Sequence, residues 1–152
     1  MNVTRAVAAG VIATASMTAL LLIEPAVGLP EIAIGQLLST SLSFTTAHLS
    51  VGPAVGWLIH FVVGSLWAIV YAGVMLVRLP GPPLARGLLY GFVVFLLAQS
   101  LLMPLVGAGF FSRGDPSTLA GGLLGHLVYG GVLGWVYGPP SAAQRAATPK
   151  PA

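Results

Sequence analysis

Gly56-Trp57-Leu58-Ile59-His60-Phe61-Val62-Val63-Gly64 sets one ionisable ring among eight uncharged, mostly lipid-like residues. The segment lies inside an apolar run from Ala54 to Val77. That run is about 24 residues, enough to cross a hydrocarbon core of about 30 Å as a helix. Ionisable groups at membrane depth are expensive and mark function or specific packing. The pattern recurs in Gly122-Leu123-Leu124-Gly125-His126-Leu127-Val128-Tyr129-Gly130, 66 residues further on.

Composition sets the class. With 57% hydrophobic and 6% charged residues and a mean hydropathy of +0.96, the chain has too little polar surface to cover a soluble globule, so an integral membrane protein is expected. The absence of Cys excludes disulfides, thiolate zinc sites, iron–sulfur clusters and covalently attached haem. The net charge of +3 comes from basic residues near the ends of apolar runs. No basic stripe with interleaved aromatics points to nucleic acid.

Four spans are expected, at about 7–23, 54–77, 88–106 and 119–137, within one membrane domain over 1–138. Arg5 with Ala26-Val27-Gly28 also fits a cleaved signal peptide, but the apolar run is longer than the usual signal core. Leu79-Pro80-Gly81-Pro82-Pro83 cannot continue a helix and makes spans two and three an antiparallel hairpin. Pro139-Pro140 ends the last helix, and 139–152 reads as a disordered cytoplasmic tail.

Arg5, Arg78, Arg86, Arg145 and Lys150 fall on one side. Arg113, Glu24, Glu31 and Asp115 fall on the other, so the positive-inside rule places both termini in the cytoplasm of a bacterial inner-membrane protein. Trp57, Tyr71, Tyr90, Trp135 and Tyr137 fit interfacial aromatic belts. In the first outer connection, Pro30 is placed to open a short interfacial helix with Ile32, Ile34, Leu37, Leu38 and Leu42 on its apolar side. His48, in the polar stretch that follows, reads as a solvated loop histidine.

The offset of 66 pairs Gly56 with Gly122, Gly64 with Gly130, Ala68 with Gly134 and Tyr71 with Tyr137, besides the histidines. A weaker match at an offset of 81 joins Arg5 to Arg86, Gly10 to Gly91 and Thr18 to Gln99. Both units keep the same membrane orientation, as in a parallel duplication. His60 and His126 then lie about 9 and 10 Å inside the outer ends of their spans, at about 1.5 Å per residue. Gln99 and Thr18 fall near the same depth, forming a polar layer that is either a hydrogen-bond belt or a site.

Each histidine stands in a ribbon of small residues: Gly56, Gly64 and Ala68 on one helix, Gly122, Gly130 and Gly134 on the other. The preferred packing sets these ribbons face to face, with spans two and four at the centre and the layer structural. The alternative places them diagonally, the glycines clearing space for a non-covalent haem b with His60 and His126 as axial ligands. No metal site is otherwise expected, since His48 would have to fold inward to join them. The absence of a mid-span Asp, Glu, Lys or Arg argues against a proton-coupled transporter, and Asp115 reads as a helix N-cap rather than a catalytic acid.

Gly56 to Phe61, Met103-Pro-Leu-Val-Gly107-Ala-Gly109-Phe110 and His126 to Gly138 together resemble a family of small uncharacterised bacterial four-span membrane proteins. The resemblance covers Val7 to Gly138 and implies the topology, with no activity to carry over. The expected function is that of a non-enzymatic accessory or small-ligand-binding protein without a cofactor. Haem or metal-based electron transfer is the alternative. Expected partners are the lipid bilayer and a larger membrane complex or a second copy.

Overall fold

The computed structural model describes residues 1–45, 52–142 and 146, and the described residues contain helices and no strands. In chain order they are α1 (Val3–Ile23), α2 (Ile34–Thr45), α3 (Pro53–Val70), α4 (Pro83–Leu97), the single turn α5 (Met103–Leu105) and α6 (Pro116–Tyr137). His48 lies outside the described residues, as does most of the tail beyond Ala142.

The helix starts follow local chemistry. The Asn2 side chain accepts from Arg5 N at 2.9 Å, and the Asp115 carboxylate accepts from Thr118 N at 2.8 Å; each satisfies an N–H with no partner inside its helix. Pro53, Pro83 and Pro116 each open a helix, where a missing N–H costs nothing and the fixed φ is already helical. Helix α3 runs on into a π-helical turn at Tyr71–Met75 and α4 into another at Ala98–Leu102. With these extensions four segments are long and apolar enough to cross a membrane: Val3–Val27, Pro53–Met75, Pro83–Leu105 and Pro116–Tyr137.

Helix α2 starts four residues later than Pro30 suggests. Leu29 N donates to Glu24 O at 3.1 Å, so the chain up to Leu29 belongs to the turn closing the first span, and the helix begins only at Ile34. Helix α2 then lies across the end of α3, with Gly35 directly over Gly56. A Cβ on Gly56 would overlap the Gly35 backbone, and one on Gly35 would stand 2.7 Å from the Trp57 indole nitrogen. The two glycines permit a backbone approach that no larger residue allows.

The spans are ordered α3, α1, α6, α4 around the bundle. The small-residue ribbons of α3 and α6 do not face each other, contrary to the packing preferred from sequence. The α3 ribbon packs against α1 and α2: Gly64 against Thr14, Ala68 against Gly10, and Gly56 against Gly35. The α6 ribbon packs against α4, with Gly130 on Gly87 and Gly91, and Gly134 on Gly87. Each ribbon thus seats the span next to its own, and α3 and α6 stand diagonally. Helices α1 and α6 form the central contact, where Met17 and Leu21 fill the space left by Gly125.

The hairpin partners α3 and α4 are not closely packed along their length. Contacts between them gather toward the end that carries the chain termini. There Tyr90 OH donates to Trp67 O at 2.7 Å, and the Tyr71 and Tyr90 rings lie 5.1 Å apart. Tyr71, Tyr90 and Tyr137 are therefore core residues, 0%, 2% and 3% exposed, and not the interfacial belt expected of them. Ring packing among three helices outweighs the preference of a phenol for the interface. Trp135, 75% exposed, does face outward.

Between α5 and α6 the chain takes a left-handed turn. Phe111, Ser112 and Arg113 have φ of 46°, 48° and 55°, a conformation that costs about 1–2 kcal/mol per residue. Ser112 Oγ donates to Gln99 Oε1 at 2.9 Å and Arg113 Nη2 to Gly107 O at 3.2 Å, and these bonds hold the turn against the bundle.

Candidate functional site: a cavity between the spans

The two histidines meet at one cavity of about 210 Å³, walled by all four spans and capped by Ile34 and Leu38 of α2. Four polar residues line it: Thr14, His60, His126 and Tyr129. The remaining lining is apolar and carries no charged side chain.

Each polar group arrives by a distinct local route. Thr14 lies against Gly64, where only a glycine leaves room for its hydroxyl. Oγ1 of Thr14 is buried without a hydrogen-bond partner. His60 sits edge-on between Trp57 and Phe61, with ring centroids at 6.0 and 5.9 Å, and its Nε2 is likewise buried and unpartnered. His126 packs against Phe95 at 5.8 Å. Nδ1 of His126 lies 2.7 Å from Gly122 O; as a carbonyl only accepts, Nδ1 carries the proton, and Nε2 of the neutral ring is an acceptor. Tyr129 OH donates to Gly64 O at 2.6 Å, linking α6 to α3 across the diagonal and keeping its oxygen lone pairs as acceptors.

Gln99 and Thr18, placed by sequence in the same layer as the histidines, are not among the residues that line the cavity. Gln99 is buried but turns to Ser112. The π-helical turn that contains Gln99 instead brings Ala98 and Leu102 to the cavity wall. Thr18 Oγ1 is buried and unpartnered elsewhere. Thr14 and Tyr129 are the lining residues that sequence reasoning missed, although each had a spacing signal. Thr14 lies one helical turn before Thr18, and Tyr129 is three residues after His126 and so on its face. Glu24 is also a surprise: it is 1% exposed, packed on Gly121, with both carboxyl oxygens unpartnered.

Among the described residues no group of three or more His, Asp or Glu side chains could hold a metal ion. The fold and this cavity define a small all-helical protein with four helices able to cross a bilayer and a mainly apolar chamber between them. The chain belongs to a family of unknown function, DUF6789, whose pattern it matches over residues 1–148. No curated protein and no solved structure matches it.

Proposed function

We propose that this protein is a non-enzymatic membrane protein that binds a small molecule in the chamber between its spans. The supporting observation is the cavity itself, mainly apolar, enclosed by all four spans and α2, and lined by His60, His126 and Tyr129. In volume the cavity exceeds an apolar cavity of about 150 Å³ that accepts benzene. It falls below the roughly 300 Å³ at which sites for drug-sized ligands begin.

That size weighs against haem b. The acceptor Nε2 of His126 has the second-position support typical of a ligating histidine, its Nδ1–H being held by a carbonyl. A macrocycle between the two rings would nevertheless need more space than about 210 Å³. The charge bias places the α2 end outside and both termini in the cytoplasm, so the chamber sits in the outer half of the cytoplasmic membrane.

The test is equilibrium binding to purified protein in detergent, read by thermal shift with phenol as the probe. A saturable rise in melting temperature, lost in His126→Leu, is expected. No rise at any phenol concentration overturns the reading. An optical spectrum of the same sample, from haem-replete cells, is expected to lack a Soret band; a stoichiometric Soret band lost in His126→Gln would replace this reading with the haem one.

A further inference from the structure

We infer that the ligand reaches the chamber sideways from the bilayer, through the seam between α3 and α4, and is a neutral, membrane-soluble molecule about the size of one aromatic ring bearing a hydroxyl group. This inference rests on the ligand-binding reading above and adds the route and the chemical class.

The route follows from which sides of the cavity are closed. Helix α2 closes the outer end, with Ile34 and Leu38 both buried while lining the chamber. Trp67, Tyr71 and Tyr90 close the other end as a packed aromatic floor, with Trp67 and Tyr90 rings 6.5 Å apart in addition to the Tyr71–Tyr90 contact. On one flank α1 is sealed to α3 by the Thr14–Gly64 and Gly10–Ala68 contacts. On the opposite flank α6 is sealed to α4 by Gly130 on Gly91, and Met17 and Leu21 seal α1 to α6 at Gly125. Only the α3–α4 flank lacks close helix packing above the floor. Val63 of α3 lines the chamber and is yet 38% exposed, so the cavity reaches the outer surface of the bundle there. Ala98 and Leu102, on the facing edge of α4, line it too and are only half-buried. That surface belongs to two spans at membrane depth, so it is lipid and not water that the opening meets.

The class follows from the walls. No charged residue lines the chamber, so an ionic ligand would lose its hydration without a counter-charge. His126 Nε2 and the Tyr129 oxygen offer acceptors, and a hydroxyl supplies the donor that matches them.

The experiment uses the full chain in phosphatidylcholine vesicles with Trp57→Phe and Trp135→Phe, which leaves Trp67, at the chamber wall, as the only tryptophan. Quenching of Trp67 fluorescence is followed by stopped flow with 4-bromophenol, bromobenzene and 4-bromobenzenesulfonate at pH 7. The expected result is saturable quenching by 4-bromophenol, binding of bromobenzene weaker by about tenfold, and no saturable quenching by the sulfonate. Val63→Phe and Ala98→Leu, which narrow the seam, are expected to slow the approach to the 4-bromophenol plateau at least tenfold. Each variant is normalised to its own plateau, and Leu37→Ala, on α2 but outside the chamber wall, leaves the rate as it was. Unchanged rates in both seam variants overturn the lateral route. Equal affinity for bromobenzene and 4-bromophenol, or saturable quenching by the sulfonate, overturns the ligand class. If none of the three probes quenches saturably, the ligand-binding reading itself fails, and this inference with it.

Discussion

Thr14 and Tyr129 are both counted in the chamber lining, yet they differ in what their oxygens do. Thr14 Oγ1 has no partner and Tyr129 OH donates to Gly64 O. Replacing an unpartnered buried hydroxyl by a methyl of the same shape removes a desolvation cost without losing a bond. Thr14→Val is therefore expected to leave stability in detergent unchanged or raise it by about 1 kcal/mol. Tyr129→Phe should lower it by about 0.6–1.7 kcal/mol, the range for hydrogen bonds between spans. Reversible unfolding in mixed micelles separates the two, and a Thr14→Val loss as large as that of Tyr129→Phe would show that the threonine hydroxyl is bonded. His60 and His126 were legible as the chemically important residues because an ionisable ring in an apolar run needs a reason. The roles of Thr14 and Tyr129 were not legible, because threonine and tyrosine are ordinary in spans and only the neighbouring helix decides what they touch.

The helices make two further expectations sharp. Gly130 packs on Gly87 and Gly91, with the backbone of α4 so close that an added Cβ would overlap Gly87 O. Gly131, the next residue, would meet only flexible side-chain ends, Leu88 at 3.2 Å and Leu84 at 3.5 Å. Gly130→Ala should thus cost about 1–3 kcal/mol through a forced shift of α4, while Gly131→Ala should be close to neutral. The same unfolding assay checks this, and equal tolerance of both would remove the α4–α6 contact. At the start of α6 the hydrogen bonds from Thr118, then Ser117, hold the Asp115 carboxyl below the usual carboxylate range. A depressed acid stabilises the fold above its unfolded value of about 3.9 and loses that contribution as pH falls through the folded value. Hydrogen exchange at Thr118 and Leu119 is expected to quicken below about pH 4, relative to the rest of α6, and Asp115→Ala should show the faster exchange already at pH 7. Proline positions and the Asp115 cap were readable directly, because capping acts within one turn of the chain. The start of α2 was not, because it depended on how many residues the preceding turn consumed.

At the scale of the bundle, the order α3, α1, α6, α4 seats each small-residue ribbon against its paired span and leaves the α3–α4 side open above its aromatic floor. The like packing of the two halves, small residue on small residue, accords with a duplicated two-span unit, which we propose as the origin of the 66-residue offset. Orientation is a separate matter, decided by charge. A C-terminal fluorescent fusion that folds only in the cytoplasm is expected to be bright, and a reporter inserted between Asp115 and Ser117 to behave as external. Reversed signals would place the chamber in the inner half of the membrane and overturn the positive-inside assignment.

By itself the sequence determined that the chain is helical, that four segments can cross a bilayer, and that two histidines in glycine ribbons are its chemical peculiarity. Those features depend on composition and on interactions within a few residues, and both are written along the chain. Which ribbon packs on which helix was decided only in three dimensions. A glycine stripe specifies that some backbone comes near, but α1, α2 and α4 all offered small or notched surfaces. The choice among them depended on the fit of whole helix surfaces. That choice put Tyr71, Tyr90 and Tyr137 in the core and turned Gln99 toward Ser112. It also brought Thr14, His60, His126 and Tyr129 to one chamber, because their shared depth became a shared site only when the helices between them were fixed.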